Sequence, residues 1–390
     1  MNSPRPALAS CSGDWIRTPN PRFLTHVGQA FRPAAGLPPG APRRSAAAAR
    51  KGCPTSSTER GFSRFRRDPL LASLAAVLLM SLPAAAQTKT WNAPKTPDGQ
   101  PDLQGTWTNA TITPLERPDD LAGKEFLTSQ EAAEYEKRIA QANNADRRDL
   151  PPENDVGLAY NDFWYNRGTK IVGTRRTSLI VDPPDGKVPP LTPQAQKKQD
   201  DLRAAARGHA SDGPESRALT ERCLLWPTAG PPMLPSFYNN NYQIVQGPGY
   251  VAILVEMIHD VRVIPLDGRP HVSGNVRQWM GDSRGHWEGN TLVVDTTNFT
   301  DKTRFRGADE KMHLVERFTR VDANTIMYEF TVDDPTAFTR SWRAQVPMRR
   351  TESPVYEYAC HEGNYAMAGM LAGARADEKA AANAAKTGSK

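Results

Sequence analysis

A polar cluster at residues 256–262 places a histidine among carboxylates inside an apolar stretch. Its members able to do chemistry are Glu256, His259, Asp260 and Arg262. Imidazole and carboxyl groups are the usual proton donors and acceptors in general acid–base catalysis. On a continuous strand, alternation would place Glu256, Asp260 and Arg262 on one face and His259 on the other. The alternative interpretation is a structural ion pair between a carboxylate and the arginine.

A second cluster, residues 360–365, begins at Cys360 and places His361 beside Glu362. A disulfide at Cys360 would hold this backbone in place, and proton transfer requires fixed geometry. The two clusters predict these catalytic residues: His259, Asp260, Glu256, His361 and Glu362.

Aromatic and polar side chains near predicted loops are candidates for substrate binding, because such groups line pockets and orient ligands. Aromatic core packing beneath a loop is the alternative. The candidates are Arg262, Tyr238, Tyr242, Asn364 and Tyr365.

A divalent metal is the alternative use of the histidines. His259, His271 and His361, with Asp260 or Glu362, offer nitrogen and oxygen ligands and would leave one coordination position open. Their spacing matches no HExxH-type motif, so no cofactor is predicted with certainty. The histidines expected at the surface are His209, His286 and His313.

Residues 281–285 match the G-x-S-x-G pattern of serine hydrolases. That pattern requires a helix directly after the serine. Here the chain leads into another predicted strand, so we interpret the segment as a hairpin loop. A hydrolase built on Ser283 and His361 stays an alternative.

Short segments of period-two alternation follow residue 176 and predict a mainly β fold. A long antiparallel meander commonly hides its edges by closing into a barrel, so we predict a lipocalin- or calycin-like barrel, with a β-sandwich as the alternative. The predicted strands are 177–181, 242–245, 250–257, 261–265, 276–280, 291–297, 314–321, 325–332, 339–346 and 355–360.

An extended N-terminal arm and two helices complete the predicted fold. Thr128 and Glu131 form a capping box before a helix that ends near Asn143. Thr192 and Pro193 begin a second helix, which Gly208 ends. We expect an arm with its helix at 87–165, lying over the core, a barrel domain at 166–375 and a disordered tail at 376–390.

Residues 64–86 have the basic, apolar and small-residue parts of a secretory signal peptide. The apolar part, residues 70–82, is shorter than the roughly 20 residues that span a bilayer, so no stable membrane anchor is expected. Cleavage before Gln87 predicts a periplasmic or secreted protein. Residues 1–63 are either a disordered leader or a misassigned start of translation.

Removal of residues 1–86 changes the charge of the chain. That segment carries 12 Lys or Arg and three acidic residues, so the +6 of the whole chain leaves −3 for residues 87–390. No basic run with interleaved aromatic residues follows Gln87, which excludes nucleic acid as an expected partner. A small molecule is the expected partner, and the oligomeric state is not indicated.

Cys223 and Cys360 are the cysteines that follow residue 87. An oxidising compartment favours their pairing as a disulfide, and two separately buried thiols are the alternative.

Several long motifs resemble a family of secreted bacterial proteins, most of which have no assigned activity. The resemblance extends over most of 97–375 and implies export and a single β-rich unit. It implies no catalytic residue. The motifs are PDGQPDLQGTW (97–107), EMIHDVRVIPLDGRPH (256–271), GDSRGHWEGNTLVVDTTNF (281–299), ERFTRVDANTIMYEFTVDDP (316–335) and YEYACHEGNYAMAGMLAGAR (356–375).

Two functions follow from these observations. The first is an exported enzyme of lyase or hydrolase type that uses the histidine and carboxylate clusters on a small molecule. The second is a non-catalytic, lipocalin-like protein that binds a small apolar ligand.

Export gives the first testable prediction. Protein recovered from the periplasm or the medium should begin at or near Gln87 when its N-terminus is sequenced, because signal peptidase cleaves after the small residues that precede it. Recovery of the exported chain with its N-terminus at Met1 would contradict this.

Overall fold

The computed structural model describes residues 91–147 and 161–388. The predicted leader and signal peptide, residues 1–63 and 64–86, lie outside the described residues.

Nine antiparallel strands form a nearly closed barrel, which confirms the predicted β-barrel. The hydrogen-bonded order is β5-β4-β3-β1-β10-β9-β8-β7-β6, and β2 pairs with β10. The strands are β1 (Gly105–Thr108), β2 (Ile180–Asp182), β3 (Asn241–Gly247), β4 (Tyr250–Val255), β5 (Val261–Pro265), β6 (Asp282–Glu288), β7 (Thr291–Thr297), β8 (His313–Asp322), β9 (Thr325–Asp333) and β10 (Trp342–Arg350).

The edge strands β5 and β6 meet at a seam where side chains make the contacts. A Cβ atom on Gly285 of β6 would lie 2.6 Å from Leu266 and 2.8 Å from Ile264, so glycine allows the two edges to approach this closely. Arg262 of β5 donates a hydrogen bond to the Ser283 hydroxyl of β6 at 3.3 Å.

Large side chains fill the barrel interior. Residues of β8 and β9 alternate between buried and partly exposed, as expected for strands with one face on a core. Phe318 and Tyr328 are fully buried with ring centroids 4.9 Å apart, and Phe330 contacts Trp342 at 5.7 Å. The centre of the barrel is therefore a packed aromatic core.

The arm contributes a strand to the barrel, whereas the sequence predicted only an extended segment over the core. β1 lies between β3 and β10, in register through Trp107 with Tyr242 and Arg350. Trp107 is fully buried, and its indole donates to the Leu103 carbonyl at 2.9 Å. The four residues of β1 are too few for a period-two pattern to be recognised.

Three predicted local structures are wrong. Residues 276–280 form a loop, in which Arg277 donates to the carbonyls of Phe299 and Glu310. Residues 355–360 are also not a strand, because the Tyr356 amide donates to the Glu256 carboxylate and not to a neighbouring strand. The expected hairpin loop at 281–285 mostly belongs to β6, whose outward face is polar and so hides the strand pattern.

The two predicted helices are confirmed, as α1 (Ser129–Asn143) and α2 (Pro193–Ala206). Thr128 and Glu131 form the reciprocal capping box at the start of α1. Thr192 caps α2 by accepting from the Ala195 amide at 3.1 Å.

A third helix, α3 (Tyr365–Gly388), runs through most of the predicted tail. The prediction of disorder at 376–390 is therefore wrong as far as Gly388. Alanine, lysine and glutamate are strong helix formers, so an exposed helix can form here without an apolar stripe. In the described part of the chain, no helix has both the length and the apolar character needed to cross a bilayer.

Cys223 and Cys360 form the predicted disulfide, with Cα atoms 5.7 Å apart. The bond joins the segment that precedes β3 to the segment that precedes α3, and it closes a loop with a sequence separation of 137.

Loss of this bond should destabilise the fold. The double variant Cys223→Ala/Cys360→Ala should lose roughly 4 to 5 kcal/mol in free energy of unfolding, the chain-entropy value for a loop of this length. Urea denaturation measures the change, with the wild type in reductant as the control. Free thiols at both positions in non-reduced exported protein would be evidence against the bond.

Candidate functional site

The turn between β4 and β5 is strained. Ile258 and His259 have φ angles of 65° and 52°, the left-handed region that a β-branched residue rarely adopts. The short 3₁₀ turn Met257–His259 separates β4 from β5, so residues 256–262 are not a continuous strand. Glu256, Asp260 and Arg262 therefore do not share one strand face.

His259 is exposed on this turn with one ring nitrogen held by the backbone. Its Nδ1 atom lies 2.8 Å from the carbonyl oxygen of Tyr358. A carbonyl can only accept, so in the neutral ring Nδ1 carries the proton and Nε2 carries the lone pair. Nε2 has no partner among the described residues, and it is available to accept a proton.

The two carboxyl groups of the first cluster have different roles. Glu256 is buried and accepts from the Tyr356 amide at 3.1 Å and from the Asn241 amide at 3.3 Å. It thereby joins β3 to the segment that carries Tyr358. Asp260 is half-buried next to His259, and desolvation raises its pKa despite the opposing effect of the histidine. Desolvation likewise raises the pKa of Glu256.

The second cluster is more exposed than the first. His361 and Glu362 are exposed, and their side chains have no partner among the described residues. Asn364 donates to the Glu221 carbonyl at 3.1 Å, which is a structural contact, and Tyr365 is 82% exposed. The structure does not bring His361 into hydrogen-bonding contact with His259, although Tyr358 is only three residues before His361.

Arg262, a predicted substrate-binding residue, is enclosed in the barrel. Its guanidinium makes a bidentate pair with Glu316, at 3.0 Å from Nη1 and 2.5 Å from Nη2. Tyr328 donates to the same carboxylate at 2.8 Å. The Ser283 hydroxyl contacts Arg262 and Thr296, not a histidine, so this site has no serine nucleophile activated by a histidine.

The predicted substrate-binding tyrosines belong to the core. Tyr242 is buried, and its hydroxyl contacts Asn109 at 3.3 Å. Burial raises its pKa. Tyr238 packs against the core beside Trp226, with ring centroids 6.2 Å apart. The alternative of aromatic packing beneath a loop describes both residues better than an open barrel mouth.

A chain of hydrogen-bonded side chains that the sequence did not predict lies on the outer face of β6 to β8. His271 Nδ1 is 2.9 Å from Asp282, and its Nε2 is 2.8 Å from Asp295. The other Asp295 oxygen is 2.6 Å from His313 Nε2. His313 was expected to be an exposed side chain without a partner, and it is instead half-buried and bonded.

These hydrogen-bonded side chains hold a loop in place and leave few polar atoms free to bind a substrate. Both ring nitrogens of His271 are occupied, and Asp282 also accepts from the Val272 amide at 3.1 Å. The contacts hold residues 271–272 against the sheet. Strand alternation places Asp295 and His313 on outward faces, but only the strand register shows that they meet.

The three histidines proposed as metal ligands do not converge. His271 is bound to Asp282 and Asp295, whereas His259 bonds to Tyr358. Within residues 91–147 and 161–388, no group of three or more His, Cys, Asp or Glu side chains is arranged to hold a metal ion.

Comparison of the chain with family models, with curated proteins and with solved structures finds no match.

The pair of His313 and Asp295 predicts a pH-dependent stability. Donation of a hydrogen bond to the Asp295 carboxylate raises the pKa of His313 above its ordinary 6.5. The stabilising effect of the pair is therefore full below pH 6.5 and is lost as pH rises through the folded-state pKa of His313. The hydrogen bond from His313 lowers the pKa of Asp295 below 3.8, so that effect is lost only in strong acid.

Urea midpoints of the wild type should therefore fall between pH 6 and pH 8, and His313→Gln should reduce this fall. His361→Gln is the matched control, because this histidine is exposed and its side chain has no partner within 91–147 and 161–388. An identical pH profile for wild type and His313→Gln would show that the pair has no linkage to folding.

Proposed function

We propose that this protein is an exported enzyme of hydrolase or lyase type, in which His259 is the general base and Asp260 its acidic partner. The observation that carries the proposal is the His259 ring, held through Nδ1 by the Tyr358 carbonyl at 2.8 Å with Nε2 directed away from that contact. A histidine held in this way has the tautomer that a base requires.

The strain of the turn supports the same residues. Left-handed conformations at non-glycine residues cost of order 1 to 3 kcal/mol each and concentrate at functional sites. Ile258 and His259 adopt this conformation in succession. A turn chosen only for stability would have a glycine or an asparagine at these positions.

The surroundings of His259 keep its ring in place. Tyr358 lies between Tyr356, which is bound to Glu256, and Cys360, which is bound to Cys223. The carbonyl that orients the imidazole is therefore anchored on both sides. Glu256 is a positioning residue in this arrangement and not a catalytic one.

Asp260 supplies the second proton-transfer group. Desolvation raises its pKa, so this carboxyl keeps its proton to higher pH than an exposed aspartate does. Hydrolysis and elimination both need a base and a proton donor at the reacting centre. The packed core of Phe318, Phe330 and Trp342 argues against a ligand cavity at the centre of the barrel, so a substrate would approach the end of the barrel.

Export is part of the proposal. The disulfide between Cys223 and Cys360 supports it, because structural disulfides persist in oxidising compartments.

Replacement of His259 tests the catalytic assignment. His259→Asn removes the imidazole, and asparagine tolerates the left-handed conformation, so the fold should be retained. The best substrate of the wild type, found in a panel of small esters, lactones and hydroxy acids, should lose at least about 100-fold in kcat/KM. His286→Asn, at an exposed histidine beside Glu288, is the matched control.

Asp260→Asn separates a catalytic from a structural role. Because the pKa of Asp260 is raised in the folded state, ionisation of its carboxyl group lowers the free energy of unfolding as pH rises through the folded-state pKa. The protonated form does not lower it. Asp260→Asn should therefore be more stable than the wild type at pH 7, equally stable near pH 3, and less active. Unchanged activity in both variants, or no turnover by the wild type, would overturn the assignment.

A further inference from the structure

A cleft of about 210 Å³ lies away from His259, between the segment 218–231 and the loop 302–305, with Trp279 at one side. Its apolar wall includes Leu219, Leu225 and Trp226. A cavity of about 150 Å³ holds benzene in an engineered protein. A single ring with a short substituent therefore fits this volume.

The charged residues of the cleft are of one sign. In the part of the chain that the structure describes, Lys302 and Arg304 line the cleft, and no aspartate or glutamate does. Both cations are exposed, and neither has an ion-pair partner among the described residues. The nearby Arg306, by contrast, lies 3.8 Å from Glu116. A chain with a net charge of −3 after residue 86 thus presents two unneutralised cations at one apolar cleft.

The walls of the cleft are held by contacts independent of any ligand. The Thr303 hydroxyl donates to the Trp279 carbonyl at 2.8 Å, which ties the loop to the tryptophan. Phe305 stacks on Trp342 with ring centroids 5.9 Å apart. The segment that forms the opposite wall contains Cys223, which is fixed by its disulfide. A cleft that is already formed loses little conformational entropy when a ligand binds.

We propose that this cleft binds a small aromatic carboxylate, with the ring against the tryptophans and the carboxylate at Lys302 and Arg304. The inference goes beyond the proposed catalytic function, because neither His259 nor Asp260 lines this cleft.

The probe is 3-phenylpropanoate, with its neutral amide 3-phenylpropanamide as the matched ligand. Binding is measured by calorimetry and by the change in intrinsic tryptophan fluorescence, to which Trp226 and Trp279 contribute. The acid should bind the folded wild type about tenfold more tightly than the amide, the factor expected from two solvent-exposed charge contacts. The affinity for the acid should also fall as sodium chloride is raised.

Lys302→Gln/Arg304→Gln should lower the affinity for the acid by about the same factor and leave the affinity for the amide unchanged. Lys379→Gln/Lys386→Gln, on the exposed face of α3, removes the same charge elsewhere and should bind like the wild type. His259→Asn should also retain the wild-type affinity for the acid. A result that contradicts this proposal is therefore distinguishable from one that contradicts the catalytic proposal.

Equal binding of acid and amide by the wild type would overturn the proposal, as would no detectable binding of the acid. The comparison of the two ligands on the wild type needs no variant, so a folding defect in the double variant does not affect it.

Discussion

The barrel depends on the buried ion pair between Arg262 and Glu316. Arg262 extends from β5 to Glu316 on β8 and contacts Ser283 on β6, so it links the two sides of the seam through polar bonds. The desolvation of the two charges is offset by the bidentate geometry and by the hydrogen bond from the Tyr328 hydroxyl to Glu316. The same hydroxyl accepts a hydrogen bond from the Met233 amide at 3.0 Å. Loss of one partner would leave a buried charge unpaired. The strained turn directly precedes β5, so the ion pair that fixes the position of β5 also fixes the position of the turn that carries His259.

Capping and alternation patterns in the sequence predicted the helices and strands that depend on interactions between residues close in the chain. The capping box of Thr128 and Glu131 defined α1, and the alternation of β7 to β9 defined three neighbouring strands. β1 was missed because its four residues gain their structure from β3 and β10, which come much later in the chain. β6 was missed because its polar residues are satisfied by other strands and loops, which only the tertiary structure brings near.

The residue types of the candidate site could be predicted from the sequence, but the arrangement of their side chains could not. The sequence selected His259 and Asp260 for their chemistry, and the structure adds the left-handed turn and the Tyr358 contact that distinguish His259 from His361. The hydrogen-bonded side chains that link Asp282 to His313 could not be predicted from the sequence, because their contacts depend on strand register and on the path of a loop. Arg262 was assigned to substrate because a lone strand pattern does not show which face lies inside a barrel.

The position of β1 determines when folding can be completed. This strand pairs with β10 through Trp107 and Arg350, and with β3 through Trp107 and Tyr242, so an early segment lies between a middle one and a late one. Such distant pairings form slowly, and the pairing of β1 with β10 cannot form before this last strand has been synthesised. The nascent chain therefore lacks a finished barrel until β10 has been synthesised. The late pairing of β1 fits the export proposed above, because a chain without a finished sheet can pass through a narrow secretion channel and complete the sheet on the far side.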